Sequence, residues 1–236
     1  MNVSKLKRHE TPTPNRDEFI YGQICEWIAD GTLLPGQHLV PERLAEQLGT
    51  SRTPITNALK RLKQAGLVEW IVNSGAYVRR WSQAELAQLF ELRGVLEGLA
   101  ARHAATNISP GTLDELDGMF AEYADLPPEE AHSPRVVSRY LAKDREFHGR
   151  IIDAAENAIL QQTIAQVHVT TSTFAAGLIR TVSIGFAEHK GIVEALRARD
   201  PELSERRMRQ HLQRSVDWLR DSAQLERPAA SGSAKI

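Results

Sequence analysis

Cysteine occurs once in the 236 residues, at Cys25. A lone thiol excludes an internal disulfide and fits a reducing, cytoplasmic setting. No apolar run approaches the roughly 20 residues that cross a bilayer, so no membrane-spanning helix is expected. The opening stretch, MNVSKLKRHETPTPNRDE, has basic groups but no apolar centre, so no signal peptide is expected. Repeats and low-complexity segments are missing too. So are a His-Glu-x-x-His pair, a nucleophile elbow and a glycine-rich phosphate loop, and with them the commonest signatures of hydrolases and nucleotide enzymes. Net charge is nearly absent, at −1. What remains is an ordinary globular composition, 42% hydrophobic and 25% charged, long enough for one or two domains.

The small net charge hides a split. Residues 1–81 hold 11 Lys/Arg against 8 Asp/Glu, and the remainder holds 18 against 22. A basic front on an acidic body favours a nucleic-acid-binding N-terminus. Residues 1–14, with two Thr-Pro steps, and 226–236, ERPAASGSAKI, predict disordered tails. Between them the chain divides near Trp81 into residues 15–81 and 82–225.

In the first part, Phe19, Ile20, Ile24, Trp27 and Ile28 form the apolar stripe of a helix over 16–30. Pro35-Gly36 turns a short extended piece. Pro41 opens a second helix that Gly49 ends, and Ser51 is placed to cap a third over 52–65. Two β-rich runs flank Asn73-Ser74-Gly75, a hairpin signal. Two short helices and a hairpin make a winged helix-turn-helix. Its second helix enters the major groove, and its wing reaches the flanking backbone. Arg52 has the fork to pair with guanine, and Asn57 can read adenine. Lys60, Arg61 and Lys63 face as phosphate partners, while Ile55, Leu59 and Leu62 anchor the helix inward.

The second part predicts a bundle of six helices, near 83–105, 110–125, 134–155, 157–180, 186–199 and 201–221, jointed at prolines. Within it, KDREFHGRIIDAAEN puts Asp144 and His148 four residues apart on an otherwise apolar face. Such a pair suits two ligands on one ion, but a metal needs a third or fourth. His189 and His211 each lie on an apolar stripe of another helix. A carboxylate and three imidazoles suit Zn²⁺, Ni²⁺, Mn or Fe, and the ligand types do not choose among them; Zn²⁺ is the ion expected first. A hydrogen-bonded core pair with no metal, or histidines that bind a ligand directly, remain open on spacing alone. So does a metal-dependent hydrolase, although Glu146, its only nearby base, lies about 200° around the helix from Asp144.

The first part resembles the DNA-binding domain of GntR-family transcription regulators, through IADGTLLPGQHLVPERLAEQLGTSRTPITNALKRLKQAGLVEWIVNSGAYV. One departure is Thr56-Asn57, where that family commonly has Arg-Glu. The DNA-facing set is Arg43, Ser51, Arg52, Thr53, Thr56, Asn57, Lys60 and Gly75. The second part is similar to the FCD effector domain of the FadR subfamily, through D-x-x-FH, AAENAIL, EH-x-x-IVEAL and M-x-x-HL. Six helices bring it nearer the VanR-like group. The resemblance implies a metal held by Asp144, His148, His189 and His211. It also implies an organic acid as effector, with Arg93 near the pocket. TTSTF, 170–174, puts hydroxyls, Thr170 first among them, on a helix expected to face the pocket too. Arg93 has a rival role as a surface ion pair with Glu97. The chain is thus expected to be a mainly α, ligand-responsive repressor and not an enzyme. Its partners are operator DNA, a small organic acid and a second copy of itself.

Overall fold

The computed structural model describes residues 16–225 apart from Pro128. Both expected tails, 1–14 and 226–236, lie outside the described residues.

The N-terminal unit runs α1 (Arg16–Ala29), β1 (His38–Leu39), α2 (Pro41–Gln47), α3 (Arg52–Gln64), β2 (Val68–Ile71) and β3 (Gly75–Val78). Ile20, Ile24 and Ile28 recur every fourth residue on α1 and are completely enclosed. They meet Ile55, Leu59 and Leu62 of α3 in one core. Fully burying each such side chain contributes about 1.5–3 kcal/mol, which is how so small a unit holds its helices in place. The strands form an antiparallel sheet in the order β1-β3-β2, with Val68 opposite Val78 and Ile71 opposite Gly75. Asn73 and Gly75 take left-handed backbone angles at the hairpin tip (φ 60° and 103°), so the expected wing is present.

The C-terminal unit contains α4 (Gln83–Asn107), α5 (Pro110–Gly118), α6 (Pro134–Ala154), α7 (Ala158–Val167), α8 (Val169–Ala175), α9 (Val182–Arg197) and α10 (Pro201–Leu225). Ser82 and Glu85 close a reciprocal capping box at the start of α4. α4 is the central helix. It presents Gly94, Gly98 and Ala101 inward, and a Cβ on Gly98 would meet Arg209 Cγ of α10 at 2.7 Å. Small residues thus let α4 and α10 lie close along their length.

Three expected helix spans need correction. Residues 157–180 are two helices and not one, so the described residues hold seven α-helices in this unit and not six. The break is at His168, whose backbone is left-handed (φ 48°); a helix cannot continue through that conformation. The helix count therefore gives no ground for the VanR-like group. The helix expected over 110–125 stops at Gly118, followed by a single 3₁₀ turn at Ala121–Tyr123. α9, by contrast, begins at Val182, one turn earlier than expected.

Candidate metal centre and DNA-reading face

Asp144 and His148 leave α6 on one face, as their spacing predicts. His189 comes from α9 and His211 from α10. One donor atom from each of the four lies within 4.8 Å of every other. The three histidines are buried, and the Asp144 side chain is 15% exposed. An Asp144 carboxylate oxygen sits 3.0 Å from His189 Nε2 and 3.8 Å from His148 Nε2. Neither approach is aligned as a hydrogen bond, and both Nε2 atoms are buried without a hydrogen-bond partner.

The other ring nitrogens explain why. His148 Nδ1 is hydrogen-bonded to Glu97 Oε2, and His211 Nδ1 to Glu188 Oε2 at 2.7 Å. His189 Nδ1 faces the Tyr140 hydroxyl at 3.5 Å. A carboxylate accepts only, so it places the proton on Nδ1 and leaves the Nε2 lone pair free to face inward. Each carboxylate is in turn held by an arginine. Arg93 Nε donates to Glu97 Oε1 at 2.6 Å, and Arg180 donates to both oxygens of Glu188 at 2.7 Å. Two arginine–glutamate–histidine chains therefore converge on one point.

The charges agree with this arrangement. Burial opposes ionisation of Asp144, but His189, then His148 and His211, outweigh it and hold the carboxyl far below the usual carboxylate range. Burial likewise works against Glu97, yet Arg93 and His148 bring its pKa down to about 2. Burial pushes the His211 imidazole down to about 3, against the pull of Glu188, and it also lowers His189. Neutral imidazoles at His189 and His211 beside an ionised Asp144 are the forms a divalent cation requires. Two orphaned nitrogens, a third free lone pair on His211 and a carboxylate oxygen fit such an ion.

A cavity of about 50 Å³ adjoins the cluster, lined among others by Arg93, Asp144, Thr173, Arg180, His211 and Ser215. Arg93 is at the pocket as expected, and it also makes the pair with Glu97. That pair is buried, with side chains 2% and 1% exposed, and not on the surface. Arg93 Nη1 also donates to Thr173 Oγ1 at 3.1 Å. Thr170 does not line this cavity; its hydroxyl is buried without a partner, and Thr173 stands one turn on in its place. Glu188, Tyr140 and Arg180 escaped the sequence reading, and Glu97 entered it only as a surface partner for Arg93. Only Glu188, adjacent to His189, carried a hint, since a second carboxylate beside a ligand histidine often orients one. Glu146 is exposed and paired with Arg150, far from any role at the cluster. His168 lies outside the cluster, and its Nε2 meets the Tyr21 hydroxyl of α1 at 2.6 Å.

On the N-terminal unit, Arg43, Ser51, Arg52, Thr53, Asn57 and Lys60 are exposed. Ser51 stands at the N-cap of α3 without using its hydroxyl there, which leaves that group available. Arg52 pairs with Glu42 at 2.9 Å while 69% exposed; a pair so open to water is easily exchanged for DNA. Thr56 Oγ1 donates to the Arg52 carbonyl. Arg61 is turned away from this face: it binds Glu18 at 3.1 Å and lies 4.1 Å over the Tyr21 ring. Arg16, which had no signal in the sequence, lines the hollow at the start of α3 with Thr53 and Asn57 and donates to the Gly49 carbonyl.

The family profile described as "Bacterial regulatory proteins, gntR family" matches residues 16–78, and that of the FCD domain matches residues 88–214. A "Probable D-xylose utilization operon transcriptional repressor" of Paenarthrobacter nicotinovorans is 33% identical over 78% of this chain and 80% of its own length.

The chain belongs to the GntR family.

More narrowly, this GntR regulator is of the FadR subfamily, a DNA-binding transcription regulator with an FCD effector domain and not an enzyme. The HTH-type transcriptional repressor RspR of Escherichia coli K12 is 24% identical over 90% of the chain and 92% of its own. The solved structure of E. coli McbR/YncC shares the fold, with a TM-score of 0.71 at 21% identity over 89% of this chain and 99% of that one. Among the described residues no helix is long and apolar enough to cross a membrane.

Proposed function

We propose that this GntR regulator is a repressor whose FCD domain holds a divalent metal ion, Zn²⁺ in first place, on Asp144, His148, His189 and His211. A small organic acid reaching the adjoining cavity releases the operator. The observation that carries the reading is the pair of orphaned Nε2 atoms, on His148 and His189, with all three rings fixed from behind. Buried imidazole nitrogens left without a partner cost free energy, and a cation removes that cost. The bound ion supplies a positive charge that an acid can meet. Arg93, Arg180, Thr173 and Ser215 would orient the acid, and Phe90 and Phe174 would keep water out. The relatives that are repressors support the sign of regulation.

The protein acts as a homodimer, since two heads read the halves of a palindrome about 34 Å apart. Leu92, Val95 and Leu99 on α4 are 41%, 50% and 37% exposed at helical spacing, an apolar stripe for a second copy. The DNA face is Arg43, Ser51, Arg52, Thr53, Thr56, Asn57, Lys60 and Gly75.

Elemental analysis of the purified protein, before and after chelation, tests the metal. His148→Ala should lose the metal while keeping operator affinity in a gel-shift titration. A fully metallated variant, or a wild type that never carries metal, refutes the site. Melting-temperature screens of organic acids, with and without chelator, then find the effector.

A further inference from the structure

The metal cavity is too small for most of an effector. At about 50 Å³, against the roughly 10–15 Å³ of such space that one water needs, it has room for a carboxyl group and a few more atoms but not for a long body. A second cavity, of about 490 Å³, lies between the two domains, within the roughly 300–1,000 Å³ typical of ligand pockets. Its apolar wall includes Leu34 and Pro35, from the loop after α1, and Val137 and Ala142 of α6. Leu141, Phe174 and Gly177 line both cavities. Two charged residues face the larger one, Asp30 from the DNA-binding unit and the half-buried Arg145 from α6.

Helix α8 is the partition. Thr173 faces the metal cavity, Phe174 faces both, and Ala175 packs against the core of the DNA-binding unit. Just before α8, His168 is hydrogen-bonded to Tyr21, and Tyr21 carries Arg61 of α3 on its ring.

From this we infer that the two cavities are one bipartite site. The effector is a monocarboxylic acid with an apolar body. Its head lies in the metal cavity, and its body passes Leu141 and Phe174 into the crevice between the domains. The inference rests on the metal-and-acid reading above and adds its mechanism. A body lodged against Leu34 and Pro35 touches both domains, so its affinity differs between the arrangements of the winged unit. Only such a difference lets a ligand shift them.

The test is a chain-length series, acetate, butyrate, hexanoate and octanoate, titrated calorimetrically into the zinc-loaded full chain and into chelator-treated protein. Affinity should climb roughly fourfold per methylene that enters the crevice, so hexanoate should exceed acetate by well over tenfold. In Ala142→Trp, at an exposed position on the crevice wall, the indole fills that space. There the hexanoate-to-acetate ratio, taken within the variant, should fall towards one. Zinc-dependent binding of acetate with no gain from length, or an unaltered ratio in Ala142→Trp, overturns the bipartite site and leaves the metal reading standing. Long acids that bind equally with chelator show the crevice to be a separate site, which also overturns it. If no acid binds in a zinc-dependent way, the metal-and-acid reading fails, and this inference with it.

Discussion

Glu97→Gln removes one charge and almost no volume from the centre of the FCD domain. Glu97 has one oxygen 2.6 Å from Arg93 Nε, and its other oxygen meets His148 Nδ1 and lies 3.3 Å from Arg93 Nη2. An amide offers one acceptor and one donor. If its NH₂ faces Arg93 Nε, donor meets donor and the guanidinium is left buried without its counter-charge. If the NH₂ faces His148, it demands an acceptor at Nδ1. The ring proton then moves to Nε2, the atom needed for the metal. Either orientation has a cost. Breaking a buried ion pair by removing one partner costs about 3–5 kcal/mol, a large share of the roughly 5–15 kcal/mol that holds a domain folded. Losing the orienting partner of a ligand histidine costs roughly 10–100-fold in metal affinity. Zinc affinity measured by competition with a chromophoric chelator, beside the urea midpoint of the metal-free protein, separates the two effects. A variant within twofold of wild type in zinc affinity would refute the assignment of Glu97 as the group that sets the His148 tautomer.

Arg52→Ala removes the guanidinium at the start of α3; operator affinity should drop about 5–150-fold for a lost bidentate base contact worth about 1–3 kcal/mol, and an unchanged gel-shift titration would remove Arg52 from the reading face. Tyr21→Phe keeps the ring under Arg61 but deletes the 2.6 Å bond to His168; unfolding in urea should show a loss of about 0.5–1.5 kcal/mol, and no loss would mean the domain contact does not form in solution. A Cβ on Gly185 would sit 1.9 Å from the Tyr140 hydroxyl. Gly185→Ala should therefore push that ring from its place behind His189 and weaken zinc binding, while operator binding by the metal-free protein persists. Retained zinc affinity would show that Tyr140 does not orient His189.

The winged unit was legible because its signals are local. Ile20, Ile24 and Ile28 declare one face of α1, and Asn73 to Gly75 supply the left-handed angles a hairpin tip requires. The four residues of the cluster, Asp144, His148, His189 and His211, were legible as separate inward-facing polar groups on apolar stripes. The Arg93–Glu97 spacing was visible too, but not its burial, because i and i+4 residues pair on any face of a helix. Residues 157–180 read as one helix because a histidine marks a left-handed position far more weakly than a glycine would have. Arg61 looked like a phosphate partner until its neighbours on α1 were seen.

Periodicity, turn residues and helix caps thus determined by themselves that a winged head precedes an all-helical body, and which helices carry Asp144 and the three histidines, since those signals act within a few residues along the chain. Only the tertiary structure decided that the four donors face one point, that Glu97 and Glu188 stand behind two of the rings, and that a crevice opens between the domains. Those are relations between helices as much as about 110 residues apart, as with Glu97 of α4 and His211 of α10, and they are set by how side chains fill a shared interior.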